Sequence, residues 1–368
     1  MSKNNEMNCI LGLLSDLQPS KQLLKAIEDK RVINISGLDE TAASAIAGLI
    51  RKQAKRPVVF VCENELLARR NAEDLNSLGV SAKVLPPPEI SFLKADASSR
   101  EVSIQRLGAL GDFLTDRVQV LIIPTESLLV RTLSSAQFMS NCISVQANDT
   151  LRPDELILRL CNAGYERTAL VEARGQCALR GGIVDVYPIG MPNAVRIEFF
   201  DNEVDSIREF DVLTQRSLGH IQEACIYPAR EALFTDEQAV EAAERLKKML
   251  SSESTEEKLD RQRTIEKQFD LLPFEQFFEL TKTEDGDEDP DELPSMWDLQ
   301  PAEKEDIPKV VKRHTSALEK RFMPIVDALR NHRTVEIGHT LTSVLNTESA
   351  DVLSLKPEAL VIFEHPDE

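Results

Sequence analysis

The feature that most constrains the fold is an alternation of apolar strands and amphipathic helices over residues 31–147. Residues 57–62 form a short apolar run, and residues 63–78 follow it with leucines and alanines at helical spacing. Residues 118–124 repeat the apolar pattern. Such alternation is typical of a parallel sheet, because a helix usually crosses a face of the sheet to join two parallel strands. The sequence therefore predicts an α/β domain in which helices flank a parallel sheet.

The first strand-to-helix turn of such a sheet is the usual place for a phosphate-binding loop. Here the turn, residues 36–42, reads SGLDETA. A P-loop of the form GxxxxGK[ST] holds phosphates with backbone N–H groups and one lysine. This turn has one glycine, no lysine and two carboxylates, Asp39 and Glu40, which would repel a triphosphate. We interpret it as a degenerate P-loop kept for packing, and we expect no cofactor.

The same patterns predict further elements in each part of the chain. In the α/β region they are strands at residues 32–35 and 82–85 and helices at residues 22–29, 39–52, 101–113 and 125–133. The middle region has a helix at residues 153–163 and strands at residues 168–173, 183–187, 195–200, 204–210 and 224–227. The last region has helices at residues 236–249, 256–269 and 314–330 and strands at residues 333–337, 352–353 and 360–363.

These changes of pattern predict three domains. Residues 1–147 are α/β, residues 148–228 form an inserted small α+β domain, and residues 229–368 return to helices plus strands that complete the first sheet. Residues 283–308 are rich in carboxylates and are predicted to be a flexible acidic loop. The last strand ends in mid-sheet, so we expect the chain to be a fragment of a longer protein.

Composition excludes several classes of function. The net charge of −19 argues against a general nucleic-acid or anionic-membrane surface, since phosphate binding needs clustered Lys and Arg. No apolar run approaches the roughly 20 residues that span a bilayer, and the N-terminus lacks a signal peptide, so we expect a cytoplasmic protein. The six cysteines and five histidines show no metal-ligand spacing, and no nucleophile–base set stands out. We therefore expect no metal site and no catalytic residue.

Aspartates and glutamates in the last region raise two metal alternatives. The aspartates around residues 285–291 superficially suggest a calcium loop, but its sixth and twelfth places hold Pro290 and Met296 instead of Gly and Glu. Glu364 follows the final strand, where an acidic residue in NTPases holds Mg²⁺. Since no phosphate loop would use that ion, we expect no metal at Glu364.

Three motifs in the strand-rich region are long and specific: RGGIVDVYP at residues 180–188, RIEFFDNEVDSIR at residues 196–208, and FDVLTQRS at residues 210–217. Together they resemble the bacterial transcription-repair coupling factor family (Mfd). They also resemble, more distantly, the excision-repair helicase subunit UvrB. The resemblance covers about residues 20–368.

This resemblance implies a UvrB-like module of three parts. Domains 1a and 1b, residues 1–147 and 229–368, would form a helicase-like fold without ATPase motifs, and domain 2, residues 148–228, would be an adaptor that binds UvrA. The degenerate turn at residues 36–42 agrees, since UvrB keeps a true P-loop there and coupling factors do not. The resemblance implies a monomer that is not itself an enzyme. RNA polymerase and DNA would be contacted only through C-terminal domains outside this chain.

By motif match the UvrA contact uses an arginine in the RG turn, an arginine that opens the next strand, and the aromatic residue at that strand's end. These are Arg180, Arg196 and Phe200, with Arg208 at the rim. Arginine makes planar bidentate contacts with carboxylates, and an exposed aromatic residue between two arginines suits an interface hot spot. Reversing the charge at Arg180 or Arg196 is expected to abolish UvrA binding while the fold persists.

Purely structural roles remain alternatives for the same residues. Arg196 could pair with Glu198 or Asp205 across the sheet, and Phe200 could be a core residue, since strands bury aromatic side chains. At the level of function, the alternative is an ATP-dependent DNA helicase subunit of the UvrB type. That alternative requires ATP binding at residues 36–42, which the missing lysine disfavours.

Overall fold

The structure is a computed structural model in which residues 3–29, 32–38, 40–87, 98–231, 233, 236–251, 323, 326, 327, 330 and 349–364 are described. The chain divides into two compact units, residues 1–235 with 336–368 and residues 236–335. The three-domain division stays a prediction beside this one.

The described residues form α-helices and strands, which are numbered in chain order. The α-helices are α1 Lys3–Asp16, α2 Gln18–Glu28, α3 Glu40–Ala54, α4 Glu65–Ser77, α5 Ser98–Leu114, α6 Thr125–Leu128, α7 Ser135–Ser140, α8 Pro153–Asn162 and α9 Asp236–Ser251. The strands are β1 Val58–Cys62, β2 Ala82–Val84, β3 Val120–Pro124, β4 Ile143–Gln146, β5 Glu166–Arg167, β6 Gln176–Arg180, β7 Ile183–Val186, β8 Ala194–Phe200, β9 Glu203–Phe210, β10 Ser217–Ile221, β11 Glu223–Ile226 and β12 Leu360–Phe363.

The first sheet has the strand order β12-β1-β3-β2, and all of its pairs are parallel. Its central strand β1 is buried along its whole length. Val58 and Phe60 point into one apolar cluster with helices α3 and α4, whereas Val59 and Val61 point into a second cluster that contains α5. A strand buried on both faces is continuously apolar, as this one is. The predicted parallel sheet with helices on both faces is therefore confirmed.

Most predicted elements are found close to their expected bounds, but several are wrong. Residues 32–35 form no strand, and Val32 is fully exposed, because β12 and β3 already occupy both sides of β1. The helix predicted at residues 125–133 ends at Leu128. Residues 352–354 form a 3₁₀ turn instead of a strand, because the Asp351 side chain accepts the Ser354 N–H at 2.9 Å.

The second sheet has the order β10-β9-β8-β7-β6-β5, and its pairs are antiparallel except for β5 and β6. The strands predicted at residues 183–187, 195–200 and 204–210 are confirmed as β7, β8 and β9. Strands β5, β6 and β10 of this sheet were not predicted. The strand predicted at residues 168–173 is wrong, since the Gln176 side chain accepts the N–H groups of Glu172 and Ala173 at 3.0 Å each and so forms a turn there. A separate two-stranded sheet pairs β4 with β11.

The three sheets described in the first unit share one apolar cluster, which includes Tyr227. The Tyr227 hydroxyl donates to Asp112 at 3.0 Å, and its backbone oxygen accepts the Tyr165 hydroxyl at 2.8 Å. A β-carbon at Gly111 or Gly190 would overlap the Tyr227 ring. These glycines therefore let the strand-rich region approach helix α5 closely, and this packing holds the second sheet in place.

The second unit contains helix α9, whose buried residues Ala239, Ala242, Ala243 and Leu246 follow helical spacing. This confirms the helix predicted at residues 236–249. The predictions at residues 256–269, 283–308 and 333–337, and nearly all of the helix at 314–330, lie outside the described residues. Among the described helices, none combines the length and the apolar character needed to cross a membrane.

Candidate functional site

The predicted site residues lie on one side of the second sheet, which we call the outer face: the side of β6, β7, β8 and β9 that carries Arg180, Asp185, Arg196, Phe200 and Arg208. Asp185 pairs with Arg196 in the β7–β8 register, and Arg196 pairs with Arg208 in the β8–β9 register. Side chains alternate along a strand, so the residues between them face the opposite way. These are the buried core residues Val184, Val186, Val195, Ile197 and Ile207.

A buried carboxylate lies at the centre of the outer face. Asp185 is 1% exposed. Its Oδ1 accepts the Nε of Arg196 at 2.7 Å, and its Oδ2 accepts the Nη2 of Arg196 at 3.0 Å. The same Oδ2 accepts the Nη2 of Arg180. Two of the four predicted contact residues are therefore organised by an aspartate to which the sequence analysis gave no role.

Arg196 is held on several sides. Its Nη2 also donates to the Gln215 side-chain oxygen at 3.3 Å, and its guanidinium lies 4.6 Å from the centre of the Phe210 ring, a cation–π contact. The hydrogen bonds that Arg196 donates to Asp185 raise the pKa of Arg196 above its ordinary value, so this side chain stays charged. Pairing with Glu198 or Asp205 is not what the structure shows, because Asp185 is the carboxylate directly opposite on β7.

Arg180 is more accessible, and its side chain is 46% exposed. It ends β6 and is followed by Gly181, whose φ of +62° lies in the left-handed region that glycine adopts easily. The next residue, Gly182, passes close to the backbone oxygen of Phe199. The glycine pair thus forms a tight turn that places Arg180 directly beside Asp185.

Phe200 and Arg208 complete the outer face. Phe200 is 79% exposed, so the core interpretation is wrong and the exposed one is confirmed. It ends β8, just before a turn at Asp201, whose φ is +56°. Arg208 donates to the Glu198 Oε2 at 2.8 Å, and the Ser206 hydroxyl donates to the same oxygen at 2.9 Å. Arg208 is thus already paired within the sheet.

The region of the degenerate P-loop has a different character. Glu364 follows β12, and its Oε2 accepts the side-chain amide of Asn71 at 2.9 Å. Asn71 is buried and accepts the Ser44 hydroxyl. Neighbouring Cys62 has its pKa raised to about 12, chiefly by burial. An amide donor therefore meets the carboxylate that would hold Mg²⁺ in an NTPase.

A cavity of about 280 Å³ lies beside this network and is lined by Thr41, Leu67, Arg70, Asn71, Glu73 and Asp74. Its lining mixes one cation with two carboxylates, which is unfavourable for a triphosphate. Across the described part of the chain, no cluster of three or more His, Cys, Asp or Glu side chains could hold a metal ion.

The outer face lies within a part of the sequence that matches a known protein family. The sequence profile of the UvrB interaction domain family matches residues 143–231, which run from β4 to just beyond β11. Residues 143–231 of this chain are therefore similar to the UvrB interaction domain. All four predicted contact residues, together with Asp185 and Gln215, lie inside the match. The recognition made from the three motifs is thereby confirmed.

Full-length relatives give the same result. The chain is 30% identical over 233 residues to the transcription-repair-coupling factor of Bacillus subtilis (strain 168), which covers 63% of this chain and 20% of that protein. It is 28% identical over 255 residues to the factor of Staphylococcus haemolyticus (strain JCSC1435), covering 68% of this chain and 22% of that protein. The matched region is thus about a fifth of the length of these relatives.

The UvrB interaction domain of the chain is fastened to the α/β part by a buried ion pair. Glu231, the last matched residue, accepts the Nε of Arg106 at 2.9 and 3.2 Å through its two side-chain oxygens. The Nη1 of Arg106 donates to the Pro86 backbone oxygen at 2.6 Å. Arg106 is fully buried. No local sequence pattern points to Arg106 and Glu231 as partners, because 125 residues of sequence separate them.

Proposed function

We propose that this module recruits UvrA to transcription-blocking DNA lesions for nucleotide excision repair, by docking UvrA on its outer face. A single observation carries the proposal. An exposed phenylalanine and a partly exposed arginine share the solvent side of a sheet whose sequence matches the UvrB interaction domain. The relatives named above are transcription-repair coupling factors, and the recruiting role follows from that context.

The chemistry of the outer face suits a protein partner. Phe200 offers a large exposed apolar surface, and burying such a side chain contributes roughly 1.5–3 kcal/mol. Arg180 keeps several N–H donors in a fixed plane, which fits a carboxylate on the partner. Aromatic residues and arginines are also the residue types that dominate interface hot spots. We therefore propose that Arg180 and Phe200 make the main UvrA contacts, with Arg196 beside them and Arg208 at the rim.

The proposed module is an adaptor and not an enzyme. In support, the turn at residues 36–42 lacks the P-loop lysine, and the Glu364 carboxylate is met by the Asn71 amide. We propose that it acts as a cytoplasmic monomer, while other parts of the longer relatives engage RNA polymerase and DNA. The three-domain division given above is part of the same proposal.

Binding of purified UvrA to the 368-residue chain, measured by isothermal titration calorimetry, tests the proposal. Phe200→Ala is expected to raise the Kd by about 10- to 100-fold, because most of the buried apolar surface of that side chain is lost. Arg180→Ala is expected to raise the Kd by a similar factor. Leu158→Ala is the matched control, since Leu158 is a 61% exposed apolar side chain on α8 of the same domain, away from the outer face.

The proposal fails if the wild-type chain shows no UvrA binding at micromolar concentration. It also fails if Phe200→Ala and Leu158→Ala have the same Kd. A separate titration with ATP and Mg²⁺ distinguishes the helicase-subunit alternative, because tight nucleotide binding by the chain would favour a UvrB-type enzyme over an adaptor.

A further inference from the structure

The outer face has one feature that its contact role does not explain. Its central carboxylate, Asp185, is 1% exposed although it lies on the solvent side of the sheet. Burying a carboxylate is costly unless charged donors compensate it. Here two arginines do so, and their side chains cover the aspartate from above.

The two arginines divide their donors differently. Arg196 donates to Asp185 from both its Nε and its Nη2, and the Nη2 also donates to Gln215. The Arg196 side chain is only 20% exposed. Arg180 contributes its Nη2 to Asp185 and remains 46% exposed. Arg196 therefore serves the network inside the protein, whereas Arg180 keeps donors for a partner.

Gln215 completes this arrangement from the β9–β10 loop. Its side-chain nitrogen donates to the backbone oxygen of Val212 at 2.9 Å, while its side-chain oxygen accepts from Arg196. The loop itself is fixed by Asp211, whose Oδ1 accepts both the N–H and the hydroxyl of Thr214 at 2.7 Å. Thr214 and Gln215, the TQ pair of the third sequence motif, therefore have a structural role that the proposed docking contacts alone do not explain.

We propose that Asp185, with Gln215, is a positioning residue that preorganises the arginines of the outer face for UvrA. This inference rests on the proposed function. Two guanidinium groups bound to one carboxylate stay side by side in spite of their like charge. Without the carboxylate they repel each other and regain rotamer freedom, and that freedom must be lost again when the partner binds. Asp185 thus raises UvrA affinity without touching UvrA.

The test is Asp185→Asn, which keeps the shape of the side chain and removes its charge. The Kd for UvrA is expected to rise by about tenfold. Glu198→Gln is the matched control, since Glu198 is also a carboxylate paired to an arginine on the outer face, but its partner is the rim residue Arg208. It is expected to change the Kd by less than about threefold.

A double-mutant cycle separates positioning from a general structural role. If Asp185 acts through Arg180, then Arg180→Ala weakens binding much less in the Asp185→Asn background than in wild type. Additive effects of the two substitutions, or an unchanged Kd for Asp185→Asn, would overturn the inference. Gln215→Ala, which leaves the buried charges in place, is expected to weaken binding by a smaller factor and serves as a second variant if Asp185→Asn does not fold.

A spectroscopic readout keeps this inference distinct from the proposed function. The Nε–H signals of Arg180 and Arg196 in ¹⁵N NMR are expected to be sharp in wild type, and Asp185→Asn is expected to broaden or shift both. If the wild-type chain does not bind UvrA, the proposed function fails and the signals alone still test the positioning. Signals that do not change in Asp185→Asn would overturn it.

Discussion

Removing the Arg106 side chain is expected to destabilise the first unit strongly. Arg106→Ala removes the guanidinium whose Nε donates to both oxygens of buried Glu231, and removal of one member of a buried ion pair costs about 3–5 kcal/mol. It also takes a donor from the Pro86 backbone oxygen, and a buried acceptor left unsatisfied costs about 1–3 kcal/mol. Since the two costs overlap, we expect a loss of at least about 3 kcal/mol.

Thermal unfolding followed by circular dichroism measures this loss. For a unit of this size, about 3–5 kcal/mol corresponds to a fall in Tm of roughly 6–20 °C. The control is Arg152→Ala, which breaks an ion pair with Asp154 whose two side chains are 63% and 60% exposed. Water screens an exposed pair of this kind, so the Tm of this variant is expected to fall much less than the Tm of Arg106→Ala.

A second variant checks the physical reason. Replacing both members of the pair, with Arg106→Met and Glu231→Leu, removes the buried charges together, and most of the lost stability is expected to return. The reasoning is refuted if Arg106→Ala lowers the Tm no more than Arg152→Ala does. It is also refuted if the double variant is as unstable as Arg106→Ala.

Two further predictions follow from buried groups. Arg196→Glu places a second carboxylate against buried Asp185 and is expected to cost about 3–5 kcal/mol of unfolding free energy. The expectation that charge reversal leaves the fold intact therefore applies better to Arg180→Glu than to Arg196→Glu. Urea unfolding of both variants measures the difference in their stability. Burial raises the pKa of Cys62, Cys142 and Cys177 to about 12, above the ordinary value of 9.0. The folded state thus holds these protons longer than the unfolded state, so stability is expected to be lost as the pH rises from about 9 to about 12. Urea midpoints measured across this range check the sign, and midpoints that do not fall would contradict it.

The parallel sheet was predictable because its signal is local. A strand such as β1 is apolar at every position since it is buried on both faces, and the helices beside it carry leucines at helical spacing. The strand predictions failed where a side chain hydrogen-bonds to the backbone and so determines the backbone conformation. The Gln176 side chain binds two N–H groups near residues 172–173, and the Asp351 side chain caps a 3₁₀ turn, so neither segment joins a strand.

The sequence by itself predicted the family resemblance and the residues of the proposed docking surface. The three motifs are continuous in the chain, and Arg180, Arg196, Phe200 and Arg208 lie within two of them. Strand alternation also puts Arg196, Phe200 and Arg208 on a shared face once the register is known. What it could not supply is that register, since cross-strand pairing depends on residues far apart in sequence.

Only the tertiary structure decided which of these residues are exposed and which are bound within the protein. It brings Asp185, Arg196 and Gln215 together from two strands and a loop. The Nε and Nη2 groups of Arg196 therefore donate to groups within the protein. It leaves Phe200 exposed at the end of β8, where alternation alone also allowed burial. It joins Arg106 to Glu231 across 125 residues of sequence. The physical reason is common to all three: burial and charge pairing are properties of neighbours in space, and those neighbours exist only after the sheets pack.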